Sequence, residues 1–134
     1  PRPVQQPIPI WIGGNASLTL RRVAERAQGW MPLIGPEDIF STVRSPSMTT
    51  VDDVIKRLET LKQLAGERFA SLDIVLPYTD SSIFNTAHDV ERHRDTFGRF
   101  SELGTTWMVV SGPSGPHPMS ADFIGEFGEM YLGS

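Results

Sequence analysis

Four short apolar runs, each followed by a stretch with helical hydrophobic spacing, predict an α/β chain in the order βαβαβαβα. Two further observations narrow the class. The runs are continuous rather than alternating, as in parallel strands covered by helices, and Gly and Pro mark turns between them without any repeating period. Crossovers between parallel strands are right-handed, which leaves an open parallel α/β sheet or a stretch of a (β/α)8 TIM barrel, whose eight units take about 250 residues. At 134 residues the chain is a single domain, 1–134, with room for four such units.

The first strand is expected over residues 9–12, stopped by Gly13 and Gly14, with Asn15 or Ser17 placed to cap the next helix. Leu20, Val23, Ala24 and Ala27 form the inward stripe of that helix, and Gly29 suits its C-terminal cap. Residues 30–34 give a second strand, kept short by Pro32. A long loop follows, with a helical turn around Glu37 to Val43. Thr50 opens a helix with Asp52 and Asp53 in its first turn, where carboxylates complement the helix dipole, and Val51, Val54, Ile55, Leu58 and Leu61 carry its stripe to Gly66. Residues 72–76 are the third strand, ended by Pro77. A helix over residues 87–103 turns Val90, Phe97 and Phe100 inward and is closed by Gly104. Residues 105–110 are the fourth strand. A last helix from about residue 120 buries Phe123, Ile124, Phe127 and Met130 or Tyr131. Along the fourth strand, Trp107 and Val109 take one face and Met108 and Val110 the other, and in an intact barrel neither pair lies in open solvent.

Composition excludes several function classes. Twelve basic against sixteen acidic residues, a net charge of -4, leave no large positive field for nucleic acid or an anionic membrane. There is no Cys, and His88, His93 and His117 show no ligand spacing, so a metal site is not expected. No apolar run is long enough to span a bilayer and no secretory signal opens the chain, so a cytoplasmic protein is expected. The start at Pro1 fits a processed, trimmed or partial chain, or removal of Met before Pro.

The sharpest chemical signal is the first strand-to-helix junction. Gly13 and Gly14 let the backbone approach a ligand, and the free N–H groups of the following helix attract phosphate or carboxylate oxygens. A plain tight turn needing positive φ explains the same pair. Neither a Walker loop nor G-x-G-x-x-G is present. His88 and His93, five residues apart, do not share a helical face and read as solvated surface beside Glu91, Arg92, Arg94 and Asp95. His117 reads as part of a mobile loop, Asp80, Ser81 and Ser82 as helix capping, and Arg44 as a solvated cation.

The string Pro-Ile-Pro-Ile-Trp-Ile-Gly-Gly at residues 7–14, Leu-Arg-Arg-Val-Ala-Glu-Arg-Ala at 20–27 and Gly-Trp-Met-Pro at 29–32 resembles the luciferase-like monooxygenase family, most closely its members that use the deazaflavin coenzyme F-420. Gln28 stands where the family usually has Asp. Residues 72–75 and 104–110 also resemble the last two barrel strands of that family, so the resemblance spans nearly the whole chain. It implies the C-terminal half of a (β/α)8 TIM barrel. It further implies a cofactor phosphate held by Gly13, Gly14 and Asn15, with Trp30, Met31 and Pro32 beside the ring or substrate; Trp30 serves equally as a core residue. The implied activity is hydride transfer between a deazaflavin and a small organic substrate, with FMN-dependent monooxygenation as an alternative. No catalytic residue is singled out. A non-catalytic half-barrel is a third reading, because half of the strand ends that would build a pocket are not encoded. Four parallel strands leave two open edges and a bare inward face, so a homodimer or strand-exchanged assembly without turnover is expected of the isolated chain.

Overall fold

The computed structural model describes residues 4–115 and 117–133, without the side chains of residues 117 and 118. Strand β1 (Trp11–Gly13) leads through helix α1 (Ser17–Arg26) to β2 (Gly29–Met31), and helices α2 (Glu37–Val43) and α3 (Val51–Ala65) precede β3 (Asp73–Tyr78). Helix α4 (Val90–Glu102), β4 (Trp107–Val110) and α5 (His117–Phe127) complete the order, and α5 ends in a widened turn over Gly128–Leu132. The strands form one parallel sheet in the order β1-β2-β3-β4, so the fold is α/β on an open four-stranded parallel sheet.

Neighbours in this sheet are also neighbours in sequence. Right-handed crossovers that always step the same way put their helices on the same side of a sheet. Burial follows that geometry. Trp30, Ile74 and Leu76 are fully buried on one face, with Ile12 and Met108 beside them, against Leu20 and Val23 of α1, Leu58 and Leu61 of α3 and Phe100 of α4. On the opposite face Trp11 and Met31 are exposed, and Trp107 and Val109 are 56% and 46% exposed. The alternation along β4 is as expected, but the expectation that neither pair lies in open solvent is corrected: helices cover a second face only where the strand order reverses, and here it never does.

Several local expectations shift. Ile10 is exposed and lies outside β1, and Leu33 and Ile34 lie beyond β2. Gly29 is not the cap of α1 but the first residue of β2, with the Trp11 indole lying across it: a methyl group there would sit 2.5 Å from Trp11 Cδ1 and 2.7 Å from the Asp73 carbonyl oxygen. The carbonyls at the C-terminal end of α1 are instead taken by Arg68, whose guanidinium donates to Val23 and Ala24, both at 2.8 Å, and to Ala27. Pro77 does not end β3 but lies within it. Strand β2 has already stopped opposite Ile74, so beyond that point β3 is an edge where a missing N–H costs nothing. Ile124 is exposed, because α5 packs through Phe123, Phe127 and Tyr131, one residue further round the helix.

Other elements form as the sequence predicts. Thr50 caps α3 in a reciprocal capping box with Asp53, which holds the Asp53 carboxyl below the usual carboxylate range through its hydrogen bonds to Thr50 and Thr49. Gly66 and Gly104 take positive φ at the ends of α3 and α4.

The close approach at Gly29 yields a test. Gly29→Ala is expected to lower stability by about 2 kcal/mol or more, since backbone faces one side of the added methyl and cannot yield cheaply. Urea denaturation measures it, and an unchanged midpoint would contradict the packing of Trp11 across the strand.

Candidate functional site

The Gly13-Gly14 turn is built by hydrogen bonds from three directions. Gly14 takes φ +101° and its N–H donates to the Met31 carbonyl, while Trp30 Nε1 donates to the Gly14 carbonyl at 2.9 Å. Asn15 is fully buried, and its carboxamide donates to the carbonyls of Leu33 at 2.8 Å and Pro46 at 3.0 Å while accepting from the Leu33 N–H at 3.0 Å. One side chain thus joins the turn after β1, the segment after β2 and the loop before α3. Neither Asn15 nor Ser17 caps α1. The N-cap is Ala16, and no side chain bonds the first-turn N–H groups.

Beyond this turn an open cleft of about 370 Å³ lies at the carboxyl ends of the strands, lined by Gly13, Gly14, Met31, Pro32, Leu33, Pro77 and Val109. It opens on the helix-free face, where Met31 and Val109 are exposed. Among the described residues no titratable side chain lines it. Of the residues singled out from sequence, Gly13, Gly14, Met31 and Pro32 therefore meet at one cleft, whereas Asn15 and Trp30 lie behind it and brace it. Arg44 is exposed and forms the left-handed cap of α2. The side chain of His117 lies outside the described residues.

A second cluster stands on the helix-covered side. His93 is fully buried, which corrects its reading as solvated surface. The signal was available: Val90, His93, Phe97 and Phe100 share the inward stripe of α4. His93 Nδ1 meets the Tyr78 hydroxyl at 2.5 Å, and Nε2 lies 3.4 Å from both Ser82 Oγ and an Arg92 nitrogen. Arg92 bridges to Asp80 at 2.5 Å and donates to Ser82 Oγ at 2.8 Å, and Asp80 accepts from the Ser82 N–H and hydroxyl, the capping role expected of it. Hydrogen bonds from Arg92 and Ser82 hold the Asp80 carboxyl far below the usual range. Burial, then the Arg92 charge, push His93 below its ordinary 6.5, and burial raises Tyr78. A cavity of about 240 Å³ beside this cluster is lined by Tyr78, Asp80, Arg92, Thr50 and Thr96, over an apolar floor that includes Phe100. His88, by contrast, is exposed and pairs with Asp89 at 3.2 Å.

No protein-family model matches the chain, and no curated protein matches it significantly. Among the described residues no helix is long and apolar enough to cross a membrane.

Two outcomes are expected from this geometry. Asn15→Ala strands the Leu33 N–H and two carbonyls in the interior and is expected to cost about 2–4 kcal/mol in chemical denaturation; a cost below about 0.5 kcal/mol would deny the clamp. Because the fold lowers the His93 pKa, the unfolded chain takes up a proton more readily than the folded chain as pH falls through 6.5. Stability is therefore expected to decline below that pH, and His93→Gln to flatten the decline, with Asp80 adding a separate loss below its ordinary 3.8.

Proposed function

We propose that this chain is the cofactor-holding half of an oxidoreductase of the luciferase-like kind, a half (β/α)8 barrel that binds the deazaflavin coenzyme F-420 and serves hydride transfer with a small organic substrate. The observation that carries the reading is the convergence of Gly13, Gly14 and Met31 on a cleft at the carboxyl ends of parallel strands. Strand order in sequence and helices along one face support the barrel reading over a doubly wound sheet.

The residues present fit such a cofactor in part. A glycine turn of positive φ before a helix that no side chain caps suits a phosphate, which would meet the backbone N–H groups at the start of α1 and the positive end of its dipole, those of Gly14 and Asn15 being already given to the Met31 carbonyl and Ser45 Oγ. Met31, Pro32, Leu33, Pro77 and Val109 give apolar surface for a ring. Asn15 and Trp30 act through the backbone they brace: Trp30 fixes the Gly14 carbonyl, and Asn15 fixes the segment after Met31. A bound deazaflavin supplies the hydride chemistry. The chain supplies anchoring, orientation and a dry apolar wall, and among the described residues no side chain in the cleft holds or moves a proton.

FMN is the alternative ligand, since it too presents a phosphate to the glycine turn. The open form of the cleft, with a wall on one side only, favours the non-catalytic half-barrel as a second reading.

Gly13→Ala separates binding from folding. Its added methyl lies at ordinary contact distance, 3.4 Å, from the Met31 carbonyl oxygen, so the fold tolerates it, whereas the positive φ of Gly14 makes substitution there strained in itself. In a fluorescence titration with F-420, and in parallel with FMN, Gly13→Ala is expected to weaken binding about tenfold, roughly 1.4 kcal/mol. Unchanged affinity in the folded variant would reduce the glycines to a turn, and no binding of either cofactor to the wild-type chain would remove the reading.

A further inference from the structure

The helix-free face of the sheet has the chemistry of an interior. Its strand positions are Trp11 and Gly13 of β1, Gly29 and Met31 of β2, Asp73, Val75 and Pro77 of β3, and Trp107 and Val109 of β4. Asp73 is the one charged residue among them, and both of its oxygens are already occupied: Trp11 Nε1 donates to Oδ2 at 3.1 Å and Trp107 Nε1 to Oδ1 at 3.2 Å. A solvent-facing carboxylate has water for this purpose. One satisfied on both oxygens by neighbouring indoles can be covered without leaving a polar group unpaired. The same bonds tie the two exposed tryptophans together, their ring centroids 6.2 Å apart. Large apolar side chains in one contiguous patch, whose single carboxylate is already hydrogen-bonded on both oxygens, mark a surface for association.

The sheet edges restrict what can cover it. Strand β1 forms one edge and β4 the other, and among the described residues no further strand pairs with either. A second sheet approaching across a twofold axis perpendicular to the strands pairs β4 with β4 in antiparallel fashion, which leaves both β1 edges open and both faces bare. A twofold axis along the strands behaves differently. It sets β4 of each copy beside β1 of the other, keeps all strands parallel and buries both faces against each other with no edge left. Symmetry makes the stagger identical at the two seams.

We propose that a second copy of this chain occupies the helix-free face, with the β4 edge of each protomer joined to the β1 edge of its partner in a closed parallel barrel. The cleft at Gly13 and Gly14 then gains a wall from the partner, since β1 of one protomer adjoins the exit of β4 of the other. The inference rests on the sheet and its face, not on the identity of any cofactor.

Sedimentation velocity of the 134-residue chain tests it. A single dimeric species is expected at micromolar concentration. Val109→Glu, which places a charge on an already exposed side chain of the face, is expected to give a folded monomer by circular dichroism, and Trp107→Lys the same. Ile124→Glu, an equivalent change on the exposed side of α5, is expected to leave the dimer intact. A wild-type monomer, an open-ended series of larger species, a dimer that survives Val109→Glu and Trp107→Lys, or one that Ile124→Glu also dissolves would overturn the proposal. A dimer that binds neither F-420 nor FMN leaves this inference standing and removes the cofactor reading alone.

Discussion

A parallel sheet that adds its strands in chain order has one side to which right-handed crossovers return, and much of this molecule follows from that constraint. The helices share the face of Trp30, Ile74 and Leu76, and the other face keeps Trp11, Met31, Trp107 and Val109 in reach of solvent. Strands buried on both sides normally read as continuous apolar runs, and these do. The sequence is therefore written for a sheet covered twice, while the fold of one chain covers it once. Asp73, held between two indoles on the uncovered side, is consistent with a face whose polar groups are settled before it is covered.

The same constraint places the candidate cleft. Loops that leave the carboxyl ends of β1, β2 and β3 converge, and Asn15 fastens two of them to the loop before α3 through a single buried carboxamide. Trp30 faces the helices, yet its Nε1 reaches the Gly14 carbonyl, so the core fixes the turn that borders the cleft. Such bracing from behind leaves the exposed rim to backbone and apolar surface. That division suits a site in which the ligand brings the chemistry and the protein brings position.

Local signals carried the strand count, the short helix α2, the start of α3 at Thr50 with acidic residues in its first turn and the terminating glycines 66 and 104, since each depends on residues a few positions apart. Readings failed where the deciding partner is remote. Gly29 reads as a helix cap until Trp11 is laid across it, and Pro77 reads as a strand end until β2 is seen to stop short of it. Arg68 closes α1 from more than forty residues away, with nothing in its own neighbourhood to say so. His93 differs, because its place on the stripe of Val90, Phe97 and Phe100 was legible; the neighbouring charges Glu91, Arg92, Arg94 and Asp95 drew attention to the wrong side of the helix. Of the cleft, Gly13, Gly14 and Met31 were legible from a short motif, whereas the withdrawal of Asn15 and Trp30 into bracing roles depends on loops folded from other parts of the chain.

The central claim is that the helix-free face is an interior surface. Its most direct measurement is acrylamide quenching of tryptophan fluorescence in the intact protein, using variants that retain one indole each. Trp30 is buried within a single chain and serves as the shielded reference, while Trp11 and Trp107 are exposed there. If the face is covered in solution, all three indoles are shielded and emit at short wavelength. Quenching of Trp107 at the rate of a free indole, under the same conditions, would contradict the claim.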